Sequence, residues 1–291
     1  MLTGGPAVAK AFAPGHITGF FAIHDDTDPR KKGSTGCGIV LDHGVHTSVC
    51  CDGSIRATQI VLNGSVVRAE TTRSVIETLT DTPVMVECMS NIPLGCGFGA
   101  SAAGALSTAY ALDQVLGLGR TSDQLVEAAY VAEVINGSGL GDVEAQAHGG
   151  VVIRTHAGSP NFGSVERITT GSFDVHCVVL GELSTCSVLE SPALVKRINS
   201  FGKDALKRLL ERPTVERFME LSREFAFGTE LVSNRVIDII EAVEAAGGCA
   251  SQAMLGNTVF AIAEDACRAE VLSCLGEFGD VLSYKVASSK K

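Results

Sequence analysis

Three glycines at alternate positions stand directly before an alanine-rich segment of this sequence. Gly95, Gly97 and Gly99 belong to the stretch NIPLGCGFGASAAGALSTAYAL, residues 91–112. Glycine is favoured where φ must be positive or where a ligand or another backbone comes close. Between a strand and a helix, such a turn presents unpaired N–H groups at the positive end of the helix, which bind anions. The stretch therefore predicts a phosphate-binding loop, with a closely packed turn as the alternative.

The segments around these glycines predict the strand and helices that such a loop requires. A strand is predicted at 83–89, and a helix from Ser101 to about Leu116. A second helix, 121–135, has an N-cap-like start and helical spacing of its apolar residues. After the break GSGLG, a short helix at 142–150 leads into a strand at 150–158. That strand would bring its residues back past the glycines.

The chain before residue 80 is predicted to be mostly extended. Residues 7–24 form an extended segment interrupted by APGH, and the polar residues 24–38 are predicted as a long surface loop. Strands are predicted within 38–53 and 54–67, where apolar runs lie between Gly and Asn breaks. A short helix, 71–79, follows them.

A second α/β unit is predicted after a linker near 160–172. The chain then divides into two domains, residues 1–165 and 166–291. In the second domain a strand at 173–183 precedes a largely helical region, 191–246. The chain then ends with a strand at 257–264, a helix at 267–279 and a strand at 281–287.

Composition and charge exclude several classes of protein. Of the 291 residues 45% are apolar, so a sizeable core is expected. The net charge of −10 and the absence of Trp disfavour nucleic acid and anionic membranes as partners. No apolar run approaches the length of a membrane helix, and no secretory leader is evident. We therefore expect a cytoplasmic protein in which the ten cysteines are reduced.

Other motifs fit this sequence less well. Gly95, Gly97 and Ala100 satisfy the dinucleotide pattern G-x-G-x-x-A, but the acidic residue expected about 20 positions later is missing from LGLGR. No Lys-Ser/Thr pair follows the glycines, so the stretch is not a Walker A loop. The group of His and Cys residues within 43–51 matches no common zinc spacing.

The glycine stretch resembles the central motif P-x-x-x-G-L-G-S-S-A of the GHMP kinase family. The segment PLGCGFGASA departs from it at Phe98, where the family has Leu, and at Ala100, where it has the first Ser. APGH, residues 13–16, is similar to the family's A-P-G-K, with His16 in place of Lys. The residues in register with the central motif are Pro93, Gly97, Gly99, Ser101 and Ala102.

Within that family the chain most resembles the archaeal pantoate kinase branch. The resemblance implies two domains: an N-terminal nucleotide-binding α/β domain and a C-terminal ferredoxin-like domain. It also implies phosphoryl transfer from ATP to a hydroxyl of pantoate, on the route to coenzyme A. The similar stretches are APGHITGFF, KKGSTGCGIVLDHGV, PLGCGFGASAAGALS, GSGLGDVEAQAHGG and SQAMLGNTVFA.

The resemblance also implies roles for individual residues, with ATP and Mg²⁺ as cofactors. Ser101 and Glu133 would hold Mg²⁺, and Asp142 would orient or deprotonate the acceptor hydroxyl. Alternatively, Ser101 and Asp142 are helix N-caps and Glu133 is a solvated helix residue, with Glu127 competing for the metal. The residues expected to wrap the triphosphate are Pro93, Gly95, Gly97, Phe98, Gly99, Ala100, Ser101 and Ala102.

A substrate with a carboxylate requires a cationic or N–H-rich pocket, for which Arg is the preferred partner. Arg154 ranks first for this role, against a surface ion pair, and His16 is either a contact at the site or a satisfied turn histidine. The basic cluster 29–32 is interpreted as a solvated loop face. The final motif, ASQAMLGNTVFA, departs from the family's glycine-rich third loop, although Ser251 and Gln252 are candidates for substrate contact.

Two alternative functions follow from the same residues. The chain could be another GHMP kinase acting on homoserine, shikimate or a mevalonate derivative. It could also be a nucleotide-binding sensor without turnover, which the altered motifs would favour and the retention of Glu133 with Asp142 opposes. A homodimer is the default expectation for a soluble enzyme.

Overall fold

Two β-sheets organise the fold. The structure is a computed structural model and describes residues 7–182 and 191–287 of the chain. Within those residues the first sheet has seven strands and the second has four, and eight α-helices pack on them. The predicted mixed α/β fold class is confirmed.

The first sheet is built around one long strand, β2. Its order is β4-β3-β5-β2-β6-β7, and β1 pairs with the other edge of β2 over nearly its whole length. Strand β5 pairs with the C-terminal half of β2, and β6 with its N-terminal half. Both neighbours therefore lie on one edge of the same strand. The strands are β1 (Ala7–His24), β2 (Gly33–Cys51), β3 (Gln59–Leu62), β4 (Ser65–Val67), β5 (Met85–Ser90), β6 (Val151–His156) and β7 (Ser164–Ile168).

The predicted surface loop at 24–38 is wrong in its second half. Only residues 25–32 separate β1 from β2, and residues 33–38 are buried strand. A Cβ atom on Gly36 would overlap the carbonyl oxygen of Phe20, and one on Gly38 would overlap the ring of His16. Glycine is therefore required here by the close approach of β1 and β2, whereas the sequence pattern suggested a loop. The predicted interruption at APGH is a register shift inside a continuous strand.

Four helices cover one face of the first sheet. They bury a core of small and branched apolar side chains against the strands. Helix α3 begins with a capping box in which Thr121 and Gln124 bond each other's backbone N–H groups. All four were predicted; they are α1 (Glu70–Leu79), α2 (Ala100–Leu116), α3 (Ser122–Ile135) and α4 (Asp142–His148).

The second sheet has the ferredoxin-like arrangement that the family resemblance implies. Its order is β11-β8-β10-β9, all antiparallel, with helices after β8 and between β10 and β11. The elements are β8 (Asp174–Gly181), α5 (Pro192–Glu211), α6 (Val215–Thr229), α7 (Asn234–Ala245), β9 (Cys249–Gln252), β10 (Asn257–Ile262), α8 (Arg268–Gly276) and β11 (Val281–Lys285).

Two short strands escaped prediction. Strand β7 pairs with β6 and so continues the first sheet into the predicted linker; the predicted boundary between 165 and 166 falls inside it. Strand β9 lies in the final motif, where it pairs with β10. The predicted strand at 173–183 is confirmed over Asp174–Gly181, and its last residue lies outside the described residues.

Helices α5 and α6 attach the second half of the chain to β1. The ring of Phe218 lies 6.2 Å from that of Phe20, and Phe225 lies 5.7 Å from Phe21, so the main core contains residues of both halves. Helix α5, of 20 residues, is amphipathic and carries charges on its outer face. Throughout 7–182 and 191–287, no helix combines the length and apolar character needed to cross a membrane.

The contact between α5 and β1 leaves no room for a side chain at Gly202. A Cβ atom there would overlap the backbone carbonyl of Phe21. We expect Gly202→Ala to lower the free energy of unfolding by about 1–3 kcal/mol, because the overlapping atoms belong to a strand that cannot shift easily. Alanine's better helix propensity, about 1 kcal/mol, acts in the opposite direction. Urea unfolding at a constant m-value measures the difference.

Gly276 provides the matched control, because it also lies in a helix but has open space at its Cβ position. Gly276→Ala should leave stability unchanged or raise it slightly. Equal stabilisation of both variants would show that α5 does not pack on β1 in this way.

Candidate active site

The glycine loop, residues 95–99, forms one wall of a cavity at the junction of the two halves of the chain. Gly95, Gly97 and Gly99 have φ values of 69°, 87° and 63°. These values lie in the left-handed region, which most other residues avoid. The cavity is also lined by Ala100, Ser101 and Ala102, whereas Pro93 precedes the loop and lies outside the lining.

The N-terminus of α2 is open toward this cavity. Gly99 is its N-cap and has no side chain to accept from the first helical N–H groups. The carbonyl of Gly99 accepts the first hydrogen bond of the helix, which the N–H of Ala103 donates. Gln146 also donates to this carbonyl, at 2.8 Å, and so fixes the cap. The N–H groups before Ala103 are therefore available to an anion. The alternative interpretation of Ser101 as the N-cap is wrong, because Gly99 has that position.

Residues of the final motif bond to the backbone of the glycine loop and pack against it. Thr258 donates to the carbonyl of Cys96 at 2.8 Å, and a Cβ atom on Gly256 would overlap that same carbonyl. Gln252 donates to the carbonyl of Gly256 at 2.9 Å. Both Ser251 and Gln252, which were candidates for substrate contact, are buried and lie outside the cavity lining.

Three hydroxyl groups at the N-terminus of α2 are hydrogen-bonded in series. Ser101 donates to Thr71 at 3.2 Å, and Thr71 donates to Ser138 at 2.9 Å. Ser101 and Ser138 line the cavity, and Thr71 is buried behind them. Because Ser101 gives its proton away from the cavity, its oxygen keeps lone pairs for a cation.

Asp142 is held at the cavity wall as the first residue of α4. Gly141, not Asp142, is the N-cap of this helix. One carboxylate oxygen of Asp142 accepts from Nδ1 of His16 at 2.6 Å and from Thr18 at 3.4 Å. Burial alone would raise the pKa of Asp142, but the hydrogen bond from His16 and the charge of Arg154 lower it below its ordinary value. The carboxylate of Asp142 is thus ionised, and a quarter of the side chain is exposed.

Glu133 lies directly behind Asp142. Its carboxylate accepts the backbone N–H of Asp142 at 3.1 Å and that of Val143 at 3.4 Å, so it caps α4 from the end of α3. The side chain has no exposed surface, and Gly139 covers it so closely that a Cβ atom there would overlap its oxygen. Burial and the charge of Asp142 raise the pKa of Glu133. The solvated-residue interpretation is therefore wrong, while metal binding by Glu133 stays a prediction.

His16 lies outside the cavity lining and contacts two residues that line it, Asp142 at 2.6 Å and Thr18 at 3.4 Å. The ring is fully buried, and its Nε2 atom has no hydrogen-bond partner among the described residues. Burial lowers the pKa of His16, against the opposing effect of its bond to Asp142. The ring is therefore a neutral donor through Nδ1. Its predicted contact with substrate stays a prediction.

Arg154 is a buried cation on β6 that lines the cavity. It is 3% exposed, and its Nε and Nη2 atoms donate to the backbone and side-chain oxygens of Ser34 at 3.4 and 3.3 Å. Nη1 has no partner, and in the described residues Arg154 forms no ion pair. The alternative of a surface ion pair is wrong. The guanidinium lies close enough to Asp142 to lower the pKa of that carboxyl, and it still has one donor without a partner, which an anionic group could accept.

The remaining candidates lie away from the cavity lining. Glu127 accepts from Ser159 at 2.8 Å and so holds a surface loop. Within the basic cluster, Arg30 pairs with Asp28 and Lys32 with Asp25, which agrees with a solvated loop face.

Sequence reasoning missed Thr18, Ser34 and Thr71. Thr18 could have been found, because it lies two residues after His16 in a strand, where alternate residues share a face. Ser34 and Thr71 carried no signal: the first was assigned to a loop, and the second begins a short helix far from the glycines in sequence.

Comparisons with known proteins give the same family at both ends of the chain. The family model of the GHMP kinases N terminal domain matches residues 66–150, and that of the GHMP kinases C terminal matches residues 206–281. The pantoate kinase of Methanocaldococcus jannaschii is 36% identical over 269 residues, which cover 91% of this chain and 96% of that protein. The pantoate kinase of Thermococcus kodakarensis is 36% identical over 266 residues, covering 88% of each chain.

Solved structures agree with this likeness. A phosphotransferase related to the CoA biosynthesis pathway is 32% identical and has a TM-score of 0.89, covering 97% of this chain and 98% of its own. Homoserine kinase from Cytophaga hutchinsonii, 16% identical, has a TM-score of 0.72 and covers 98% of this chain and 96% of its own, which shows the shared fold alone. The chain therefore belongs to the GHMP kinase family.

Proposed function

We propose that this chain is a kinase that transfers the terminal phosphoryl group of ATP to the primary hydroxyl of pantoate, giving 4-phosphopantoate for coenzyme A synthesis. Relatives named pantoate kinase match it over nearly their whole length. The observation that carries the proposal is that Arg154, whose buried Nη1 has no hydrogen-bond partner among the described residues, lines the same cavity as Asp142 and the open N-terminus of α2. One cavity thus offers sites for a carboxylate, a hydroxyl proton and a phosphate chain.

The nucleotide side of the site uses backbone groups. The triphosphate would lie on the glycine loop, where N–H groups of the first turn of α2 are unpaired. Because backbone N–H groups carry no net charge, an acidic protein binds ATP in this way without a cluster of basic side chains.

Kinases use Mg²⁺ to spread the charge of the transferring phosphoryl group. Ser101 fits such an ion, because its hydroxyl lines the cavity and donates its own proton to Thr71. Glu133 lies outside the cavity lining, where Gly139 and the N–H groups of α4 enclose its carboxylate. We therefore assign Ser101 as one protein ligand of Mg²⁺ and keep Glu133 as the predicted second ligand.

The acceptor side positions pantoate between two charges. Its carboxylate would accept from the free Nη1 of Arg154, and its primary hydroxyl would donate to Asp142. As the hydroxyl oxygen forms its bond to the terminal phosphorus, its proton passes to Asp142 and the bond to ADP breaks with the electron pair on ADP. His16 and Thr18 hold the acceptor oxygen of Asp142 in place during this step.

The first of three predictions about the site concerns Asp142→Asn. The amide cannot take a proton, so kcat should fall by about 10²–10⁴-fold, while ATP affinity stays within a few-fold because backbone groups hold the phosphates. Phosphate-transfer kinetics and nucleotide titration measure the two quantities. Asp123→Asn, at another helix start and away from the cavity, is the control and should match the unaltered enzyme. An unchanged kcat in Asp142→Asn would rule out its role as the proton acceptor.

The second prediction concerns Arg154→Lys. Lysine keeps the charge but loses the planar fork, so KM for pantoate should rise by about 10–100-fold, with KM for ATP unchanged. Steady-state kinetics with each substrate varied separately measures both values. Arg167→Lys on the neighbouring strand is the control, since Arg167 lies outside the cavity lining. A parallel rise in both KM values would contradict carboxylate binding by Arg154.

The third prediction concerns His16. Asparagine can place an N–H donor near the position of Nδ1, whereas leucine fills the space without a donor. We expect His16→Leu to lower kcat by at least tenfold and His16→Asn to retain most of it, because Asp142 must be held ionised. His176, another buried histidine that bonds a hydroxyl group, is the control, and His176→Leu should keep kcat. If His16→Leu were as active as His16→Asn, the ring would serve packing alone.

A further inference from the structure

Leu255 has a backbone conformation that leucine rarely adopts. Its φ is 61°, in the left-handed region that favours glycine, and Gly256 follows it directly. A side chain at such a position is sterically disfavoured, and residues held in this way are found disproportionately at functional sites. The residue lies in the turn 253–256 between β9 and β10, which we call the β9–β10 turn.

The β9–β10 turn is fixed by contacts at each of its other positions. Met254 donates its N–H to the carbonyl of Thr18 at 2.9 Å, and Ala253 donates to the carbonyl of Thr258 at 2.8 Å. Gly256 packs against the backbone of Cys96 with no room for a Cβ atom. These contacts determine where the side chain of Leu255 lies: partly against the main core and partly in the wall of the cavity.

The turn lies beside the residue proposed to take the proton. Thr18 accepts the N–H of Met254 through its carbonyl and contacts the carboxylate of Asp142 at 3.4 Å through its hydroxyl. Apolar side chains also line the cavity, among them those of Leu255, Phe21 and Met254. A substrate bound by both Asp142 and Arg154 in this cavity would have its middle carbon atoms near such apolar side chains.

Pantoate carries two methyl groups on the carbon between its reacting CH₂OH group and the carbon that bears the 2-hydroxyl. We propose that Leu255 is a specificity-determining residue: its side chain contacts these methyl groups and makes the enzyme prefer a 3,3-dimethyl acceptor to an unbranched one. This inference rests on the proposed function. It explains why the motif has leucine where the backbone favours glycine.

The test compares two acceptors on the same enzyme: pantoate and its unmethylated analogue, 2,4-dihydroxybutanoate. Both have the same hydroxyl groups and carboxylate, so the ratio of their kcat/KM values isolates the methyl contacts. One methylene in an apolar pocket changes kcat/KM by about 10–200-fold. We expect the full-length enzyme to favour pantoate by a factor in or above this range. Because both kcat/KM values are measured on the same preparation, the fraction of active protein cancels from their ratio.

Leu255→Asn is the variant to compare, because asparagine tolerates the left-handed region and so keeps the turn while removing the branched apolar side chain. We expect the preference for pantoate to fall by at least tenfold, with little change in kcat/KM for the unmethylated acceptor. Glu230→Asn is the matched control: Glu230 also has a positive φ, of 56°, and lies outside the cavity lining. Its preference should equal that of the unaltered enzyme, and thermal unfolding checks that both variants fold.

Three outcomes would overturn the inference: an unaltered enzyme that does not distinguish the acceptors, an unchanged ratio in Leu255→Asn, or an equal loss of preference in Glu230→Asn. An unaltered enzyme that phosphorylates neither acceptor would instead refute the proposed function, on which the inference rests. The two failures are therefore distinguishable in one set of assays.

Discussion

The backbone contact between the glycine loop and the β9–β10 turn is the constraint on which the site depends. Gly256 packs so closely on the backbone of Cys96 and Gly97 that it has no room for a side chain, and Thr258 donates to the carbonyl of Cys96. This contact joins the two sheets at the point where the phosphate chain of ATP would lie. The left-handed glycines keep the loop turned toward the first turn of α2, and the second sheet holds it there. The cavity wall therefore requires both halves of the chain.

Charge in the site is organised around one partly exposed carboxylate. Asp142 is close to a neutral donor, His16, and to a cation, Arg154, while Glu133 is enclosed behind it. Burying several ionisable groups together is costly unless each has a partner. Here Glu133 takes the backbone N–H groups of α4, Asp142 takes His16, and Arg154 keeps one donor unpaired. The unpaired donor belongs to a residue that lines the cavity, where an anionic substrate would accept from it.

The sequence allowed the prediction of most elements and of the glycine turn before α2, because glycine spacing and helical periodicity are local signals. All four helices of the first half and most strands were identified in this way. Residues 33–38 were misassigned, because their glycines serve a close contact between strands that only the paired structure reveals. The bond between His16 and Asp142 joins residues 126 positions apart, and no local pattern encodes it. The same holds for the unpartnered nitrogen of Arg154, since burial and partners are properties of the fold.

Two departures from the family motifs, Phe98 and His16, have partners in the structure, and this weakens the alternative of a sensor that has lost turnover. Phe98, where the family has leucine, is 1% exposed, and its ring contacts Tyr284 of β11 edge-on at 5.7 Å. The larger ring thus extends the core shared by the two sheets, directly beside the glycine loop. His16, where the family has lysine, supplies a donor to Asp142 from a fully buried position in which an ammonium group would be poorly solvated. These two replacements thus each have a specific structural partner, Tyr284 in the second sheet and the carboxylate of Asp142. A site that had lost its function would not be expected to keep such matched pairs, so the altered residues favour a working kinase with its own internal contacts.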